Sequence, residues 1–374
     1  MRWCFFSPGL RSLGVLSGDS RLSGGAEAQI AHLASALAEG GHEVGMIYGD
    51  GTGRSPDRRV AGITCIDAAP AWRRPESLAR FWRAMDRLRP DMLYARLPDD
   101  FLWLMGLHAR LRPGSRFVYA LAHDTHTDAW AACSHRRWLH APLFGLGLRR
   151  AHVIAVQHRH QAAGAAPRLA RRTTWVPNLV HRTREAPRPL AETALDAAWV
   201  AKIREEKRLD LFLDLAASLP GLRFAVIGGF DPTMSARARI GLEARMAVLP
   251  NVERLGALRA AEVMALLARS RVLVNTSDAE GFPNAMLEAW SAGVPVVSLR
   301  VDPGGVIRAE GLGRVSGSPA ALREDVLRLA GDEALNRRLG EAGLAYVRRW
   351  HGRETVCAAL GSLGRQPGPA ALAL

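Results

Sequence analysis

Lysine is almost missing from this 374-residue sequence: of its 50 basic residues, all but Lys202 and Lys207 are arginine. A composition that strongly favours guanidinium makes two ammonium groups five residues apart stand out. Aromatic residues are also scarce, at 6%. The four cysteines, Cys4, Cys65, Cys133 and Cys357, lack the spacing of a metal site, a redox pair or a disulfide framework, so they read as reduced core thiols. No Asp-x-Asp metal motif occurs. No apolar run approaches the roughly 20 residues that span a bilayer, and Phe101 to Leu107 is far too short. Arg2 to Pro8 is apolar but is broken by Pro8 and Arg11, with no cleavage site behind it, so it reads as a first strand rather than a signal peptide. These absences point to a cytoplasmic protein.

The length suits two domains, and an apolar content of 48% suits packed cores rather than disorder. Net charge is +14, with an excess of ten positive charges in residues 1–180 and four in 181–374. A basic first half fits an anionic acceptor, the inner face of a plasma membrane or nucleic acid; it also fits plain surface solvation. Nucleic-acid binding further requires exposed aromatics among the basic residues. Most tryptophans here lie inside apolar segments, so no nucleic-acid partner is expected.

Buried β runs alternate with helical periodicity along the chain. Strands are predicted at 3–8, 44–48, 63–66, 91–94, 116–121, 152–156 and 175–178, with helices at 26–39, 76–89 and 99–111. A polar loop is expected from the first strand to Gly24 and Gly25. A Pro-rich, aperiodic stretch places a linker near 180–195. The alternation then restarts with strands at 198–201, 223–227, 272–275 and 295–298. This pattern predicts two doubly wound parallel-sheet α/β domains, at 1–185 and 186–350, with ligands beyond the carboxyl ends of the strands. Residues 351–374 form a helix crossing back to the first domain and a frayed tail.

The organising stretch runs from Asn275 to Ser298 as strand, turn, helix and strand. Gly281 and Pro283 break the first strand, a helix starts near Asn284, and Gly293 stops it. Glu280 lies in the turn and Glu288 just over one helical turn along. A carboxylate accepts two hydrogen bonds from a vicinal diol, so two spaced carboxylates can hold two sugar rings. An ordinary exposed pair of glutamates is the commoner arrangement, but Met286, Leu287, Ala289 and Trp290 surround Glu288 with apolar residues, and a buried acid needs a partner.

Three further places carry chemistry. Lys202 and Lys207 flank a strand-to-helix turn, where compact ammonium charges suit a diphosphate. Gly24 and Gly25 open the first helix, where backbone can approach a phosphate or sugar. His123 follows a strand, either to bring an imidazole to a sugar or to bond its own turn. With Asp124, His126 and Asp128 it lacks the third cluster that a metal site needs, so no metal is assigned.

The run Glu280-Gly-Phe-Pro-Asn-Ala-Met-Leu-Glu288, continued by Ala-Gly293-Val-Pro-Val-Val-Ser, resembles the Glu-x7-Glu motif of retaining, nucleotide-sugar-dependent glycosyltransferases of family 4 (group 1). The resemblance spans nearly the whole chain and is strongest over 198–310. It implies a GT-B fold, with two Rossmann-like domains facing a central cleft. The implied reaction moves a hexose-type sugar from a nucleoside diphosphate sugar to a glycan or lipid-linked acceptor, in cell-surface polysaccharide or glycolipid synthesis. Neither metal nor other cofactor is implied, the nucleotide sugar being a co-substrate.

By the same resemblance Glu280 holds donor-sugar hydroxyls and Glu288 the ribose, while the backbone of Gly281, Phe282, Pro283 and Asn284 lines sugar and phosphate. Gly24 and Gly25 belong to a Gly-Gly-Ala-Glu run lying against donor phosphate or acceptor, and His123 contacts the donor sugar. Lys202 and Lys207 clasp the diphosphate. Here the sequence departs from its relatives, with Ala201-Lys202 where Gly-Arg is usual and Arg208 in place of Gly. A same-fold epimerase or glycan phosphorylase stays open as an alternative, and a basic nucleic-acid-binding protein as a remoter one.

Overall fold

The computed structural model describes residues 1–19, 21, 24–49, 55–69, 75–132, 137–164, 167–180 and 183–364. Cys133 and the tail from Gln366 lie outside them. The chain divides into two units, Met1–Leu179 with Arg353–Leu374, and Val180–Gly352.

The first unit holds eight strands among the described residues: β1 (Arg2–Ser7), β2 (Glu43–Tyr48), β3 (Arg58–Val60), β4 (Ile63–Asp67), β5 (Met92–Ala95), β6 (Arg116–Ala120), β7 (Val153–Val156) and β8 (Thr173–Trp175). They form one sheet in the order β3-β4-β2-β1-β5-β6-β7-β8. All pairings are parallel except the β3–β4 edge. Successive side chains of a strand point to opposite faces, so β1 serves two cores. Trp3 and Phe5 pack with Ile30, Leu33 and Tyr94 on one face, while Cys4 and Phe6 pack with Phe81 and Phe101 on the other. Val356 and Leu360, from the helix Arg353–Ser362, join the first of these cores and bring the chain's end back into this unit.

Between β1 and Gly24 a helix forms at Arg11–Leu16 where a polar loop is expected. It is short, contains Gly14 and has no side-chain cap, so it carries no periodic signal. Packing supplies the stability, as Leu13 sinks into the core beside Ile30 and Leu33.

The second unit is an all-parallel sheet of β9 (Leu195–Val200), β10 (Phe224–Ile227), β11 (Val252–Gly256), β12 (Ser270–Asn275), β13 (Val296–Ser298) and β14 (Gly313–Val315). Its order is β11-β10-β9-β12-β13-β14. Val200 pairs with Ile227 and Ile227 with Gly256, while Asn275 pairs with Ser298 and Ser298 with Val315. The carboxyl ends of six strands therefore lie along one rim. The helix Ala236–Ala247, absent from the predicted elements, lies between β10 and β11 and buries only Met246.

Candidate active site

Beyond β9 the chain turns through Ala201, Lys202 and Ile203, and the turn beyond β10 holds it by a short parallel bridge. Ile203 N–H donates to Gly229 O at 2.9 Å and Asp231 N–H to Ile203 O at 3.0 Å. Gly228 lets the two turns approach. It sits at φ +146°, and a Cβ there would fall 1.8 Å from Ala201 O. Asp231 then receives two cations on one oxygen, Oδ2: Lys202 Nζ at 3.1 Å and Arg204 Nε at 2.8 Å. Its Oδ1 accepts from Thr233 N–H and Oγ1. Burial alone would raise this carboxyl, but the bonds from Thr233, Lys202 and Arg204 outweigh it and hold the group well below the usual range.

The next residues form a tight turn, Glu205–Lys207, bonded to the turn beyond β12. Asp278 N–H donates to Glu206 O at 2.9 Å. Thr276 Oγ1 donates to Lys207 O at 2.9 Å and accepts from Trp199 Nε1 at 3.0 Å. With its backbone fixed in this way, Lys207 reaches Glu280: Nζ lies 2.5 Å from Oε1, which also accepts from Ser277 Oγ at 2.8 Å. Glu280 Oε2 and the remaining ammonium protons have no partner among the described residues.

Arg208 follows at φ +50°, ψ +49°, in the left-handed region that favours glycine. Its guanidinium grips Asp210 with both arms, at 3.0 and 2.8 Å, and reaches towards Asp278, which Arg300 bonds at 2.8 Å. A cavity of about 470 Å³ opens beside this turn, lined by Arg204, Arg208, Asp210 and Asp278 among others.

The helix Asn284–Ser291 buries Met286, Leu287, Ala289 and Trp290. Trp290 packs edge-on against Phe282 and Tyr346 and donates to Leu312 O at 2.9 Å. Gly293, at φ +75°, ends the helix: its N–H reaches Trp290 O and that of Val294 reaches Ala289 O, the double bond of a Schellman stop. The buried stripe fixes the helix's rotation and leaves Asn284, Ala285 and Glu288, three or four residues apart, on its half-open face. The Glu288 carboxyl has no hydrogen-bond or ionic partner among the described residues, although the backbone carbonyl of this residue accepts from Ser291 Oγ at 2.8 Å. The residue keeps some open surface, yet burial pushes its carboxyl up to about 7. Gly281, Phe282 and Pro283 are buried between the two acids.

The remaining candidate residues lie in the first unit. Gly24 precedes the helix Gly25–Glu39, and Glu27 folds back over it, with Oε2 where it would stand 2.6 Å from a Cβ at Gly24. His123 starts a single turn after β6, its Nδ1 accepting from Thr125 N–H at 3.3 Å. The ring therefore bonds its own turn through Nδ1, the second of the two expectations for His123.

A model of the family "Glycosyl transferases group 1" matches residues 195–332, and one of the "Glycosyl transferase 4-like domain" matches 24–179, most of the chain between them. The chain belongs to the group 1 glycosyltransferases. Among solved structures, sucrose-phosphate synthase from Thermosynechococcus elongatus has a TM-score of 0.72 at 19% identity, covering 97% of this chain and 98% of that one. HepE from Anabaena, in complex with UDP-glucose, has 0.69 at 14%, covering 96% and 98%. WaaG, a glycosyltransferase involved in lipopolysaccharide biosynthesis, has 0.67 at 16%, covering 98% and 100%. These likenesses show the GT-B fold. A curated relative, one of the subunits of human phosphatidylinositol N-acetylglucosaminyltransferase, is 34% identical over 134 residues. That match spans 34% of this chain and about a quarter of the relative, 26%.

In this group 1 glycosyltransferase the second unit brings Lys207 and Glu280 into contact, while Lys202 is bonded to Asp231 instead. Sequence reasoning passed over Asp231, Arg204, Thr276 and Ser277. Asp231 had one available signal, an acid two residues after the Gly228-Gly229 pair; Thr276 and Ser277 look like ordinary loop polarity. The two departures from the family pattern also have a physical setting. Ala201 and Lys202 sit where the β10 turn presses closest, and Arg208 takes a backbone conformation natural to the glycine it replaces.

Proposed function

We propose that this chain transfers a hexose-type sugar from a nucleoside diphosphate sugar to an acceptor hydroxyl, with retention of anomeric configuration and without a metal ion. One observation carries the reading: Lys207 meets Glu280 on the same rim that presents Glu288, an acid without a partner. Glu280 Oε2 is open to hydroxyls of the donor sugar, and Glu288 to the ribose diol, as the family motif implies. An isolated, desolvated carboxyl gains most from a diol that supplies two donors.

In the reaction the leaving diphosphate gains negative charge while the sugar becomes oxocarbenium-like. Lys202 and Lys207 stand ready to stabilise the former, each already oriented by a carboxylate, so little reorganisation is needed as charge develops. Backbone N–H groups at Gly281, Phe282 and the start of the helix Asn284–Ser291 add fixed dipoles. Gly24, Gly25 and His123 complete the reading from the first unit, and His123 Nε2 is the ring nitrogen left to donate to a sugar. HepE is known in complex with UDP-glucose, which favours a nucleotide-sugar donor here. WaaG's involvement in lipopolysaccharide biosynthesis favours a cell-surface glycan or glycolipid product. The basic excess in residues 1–180 suits a lipid-linked acceptor at an anionic membrane surface.

The test is incubation with UDP-, GDP- and ADP-sugars and a panel of glycan and lipid-linked acceptors, with and without EDTA. Acceptor-linked product of the donor's anomeric configuration, formed equally well with chelator, is the expected outcome. Epimerised nucleotide sugar, or sugar phosphate formed from a glycan, would assign the protein to the alternative reactions.

A further inference from the structure

Arg96 is the first residue beyond β5, level with the carboxyl ends of β1 and β6. Ligands of parallel sheets bind along this edge. The residue is 2% exposed, yet among the described residues its guanidinium makes only two hydrogen bonds, both to neutral groups. Nη2 donates to Asn178 Oδ1 at 2.5 Å, and Nη1 makes a long contact of 3.5 Å with Tyr94 Oη. Nε is buried with no acceptor. No carboxylate among the described residues pairs with it.

Three acids, two of them close to Arg96 in sequence, are engaged elsewhere. Asp100 is bonded to His140, Asp99 accepts from Phe101 N–H, and Asp124 binds His158 and Gln161. His126 does not help, because burial and the charges of His123 and Arg96 hold its ring neutral, with its proton affinity pushed down to about 3. Asn178 Oδ1 also accepts from Gln157 Nε2 at 2.9 Å, so this one neutral oxygen serves two donors and offers the guanidinium no charge.

A buried guanidinium needs a counter-charge, and a missing one marks a place for an ion from outside the chain. We propose that Arg96 anchors an oxyanion subsite at the carboxyl edge of the first unit's sheet, and that the group held there is a phosphate or carboxylate carried by the sugar acceptor. That the group belongs to the acceptor rests on the transferase reading; that Arg96 holds an oxyanion does not. Guanidinium is the side chain whose geometry fits such groups with two parallel bonds.

The experiment uses the full chain with Lys202→Ala and Lys207→Ala, which removes the competing phosphate contacts of the second unit. Inorganic phosphate, glucose 6-phosphate, glucuronate and glucose are titrated in chloride buffer of constant ionic strength, read by melting temperature and calorimetry. The oxyanions are expected to raise the melting temperature and glucose to leave it unchanged, with the phosphate and glucuronate arms deciding which oxyanion is preferred.

Adding Arg96→Met is expected to raise the melting temperature in oxyanion-free buffer and to weaken oxyanion binding at least tenfold. Adding Arg96→Lys should keep the fold and weaken binding about tenfold. Nucleoside diphosphate binding by a chain altered only at Arg96 should match the unaltered chain, so failure here stays distinct from failure of the donor site. A lower melting temperature for Arg96→Met without oxyanion, or equal phosphate responses with and without the guanidinium, would overturn the proposal. Should Arg96→Met not fold, Arg96→Lys decides: unchanged affinity rejects the subsite.

Discussion

Lys207 Nζ stands 2.5 Å from Glu280 Oε1, joining residues 73 apart in sequence across the ends of β9 and β12. The pair is mostly buried, with side-chain exposures of 17% and 13%. Removing either partner leaves a poorly solvated charge. Lys207→Ala and Glu280→Gln are each expected to lower kcat for sugar transfer by roughly 10²–10³-fold, the scale of losing one preorganised transition-state contact. The double variant should lose much less than the product of the two. Steady-state kinetics on the three variants measures that coupling, and simple multiplication of the single losses would show the contact to be incidental.

Glu288 gives donor binding a pH dependence of definite sign. Its carboxyl is raised from the ordinary value to about 7 by burial, so the folded, empty protein retains a proton there that the unfolded chain has lost. Between about pH 4.5 and 7 this group makes stability fall as pH rises, with its contribution fully present only below the unfolded value. A ribose diol donates to the ionised form, so nucleotide affinity should climb from pH 6 to 8 with proton release on binding. Calorimetry in two buffers of different ionisation enthalpy measures that release. Glu288→Gln should bind weakly and without this slope.

Arg208 combines backbone strain with ionic compensation. A left-handed non-glycine residue costs about 1–2 kcal/mol, whereas partly exposed ion pairs such as those to Asp210 and Asp278 return about 0–1 kcal/mol. Arg208→Gly is therefore expected to raise the melting temperature by a few degrees. A fall of similar size would mean that the guanidinium contacts outweigh the strain.

Thr276 tests the scaffold without touching substrate. Thr276→Val leaves the indole N–H of Trp199 and the carbonyl of Lys207 short of a partner, each costing about 1–3 kcal/mol. Lower stability together with a raised KM for donor is expected, because Lys207 loses its anchor. Lower stability with unchanged KM would separate the turn from the site.

Much of this architecture was legible in the chain. Buried runs such as Phe224–Ile227 and Val296–Ser298 are nearly all apolar, which marks parallel strands covered on both faces. The Glu280–Glu288 spacing and the isolated lysines marked the rim, and Gly293 marked the helix end. Arg11–Leu16 was hidden because packing rather than periodicity holds it. Asp231 was hidden because its role depends on two turns, 27 residues apart, meeting through Gly228. Arg96 was hidden for a different reason: one arginine among 48 attracts attention only when it is seen to be buried with no carboxylate paired to it among the described residues.

Calorimetric titration with UDP-, GDP- and ADP-sugars tests the central claim most directly, on the unaltered chain, Lys207→Ala and Glu288→Ala. One base class should bind the unaltered chain, with at least tenfold weaker binding in both variants. Binding to none of the three, or equal affinity in all three proteins, would contradict a donor site on this rim.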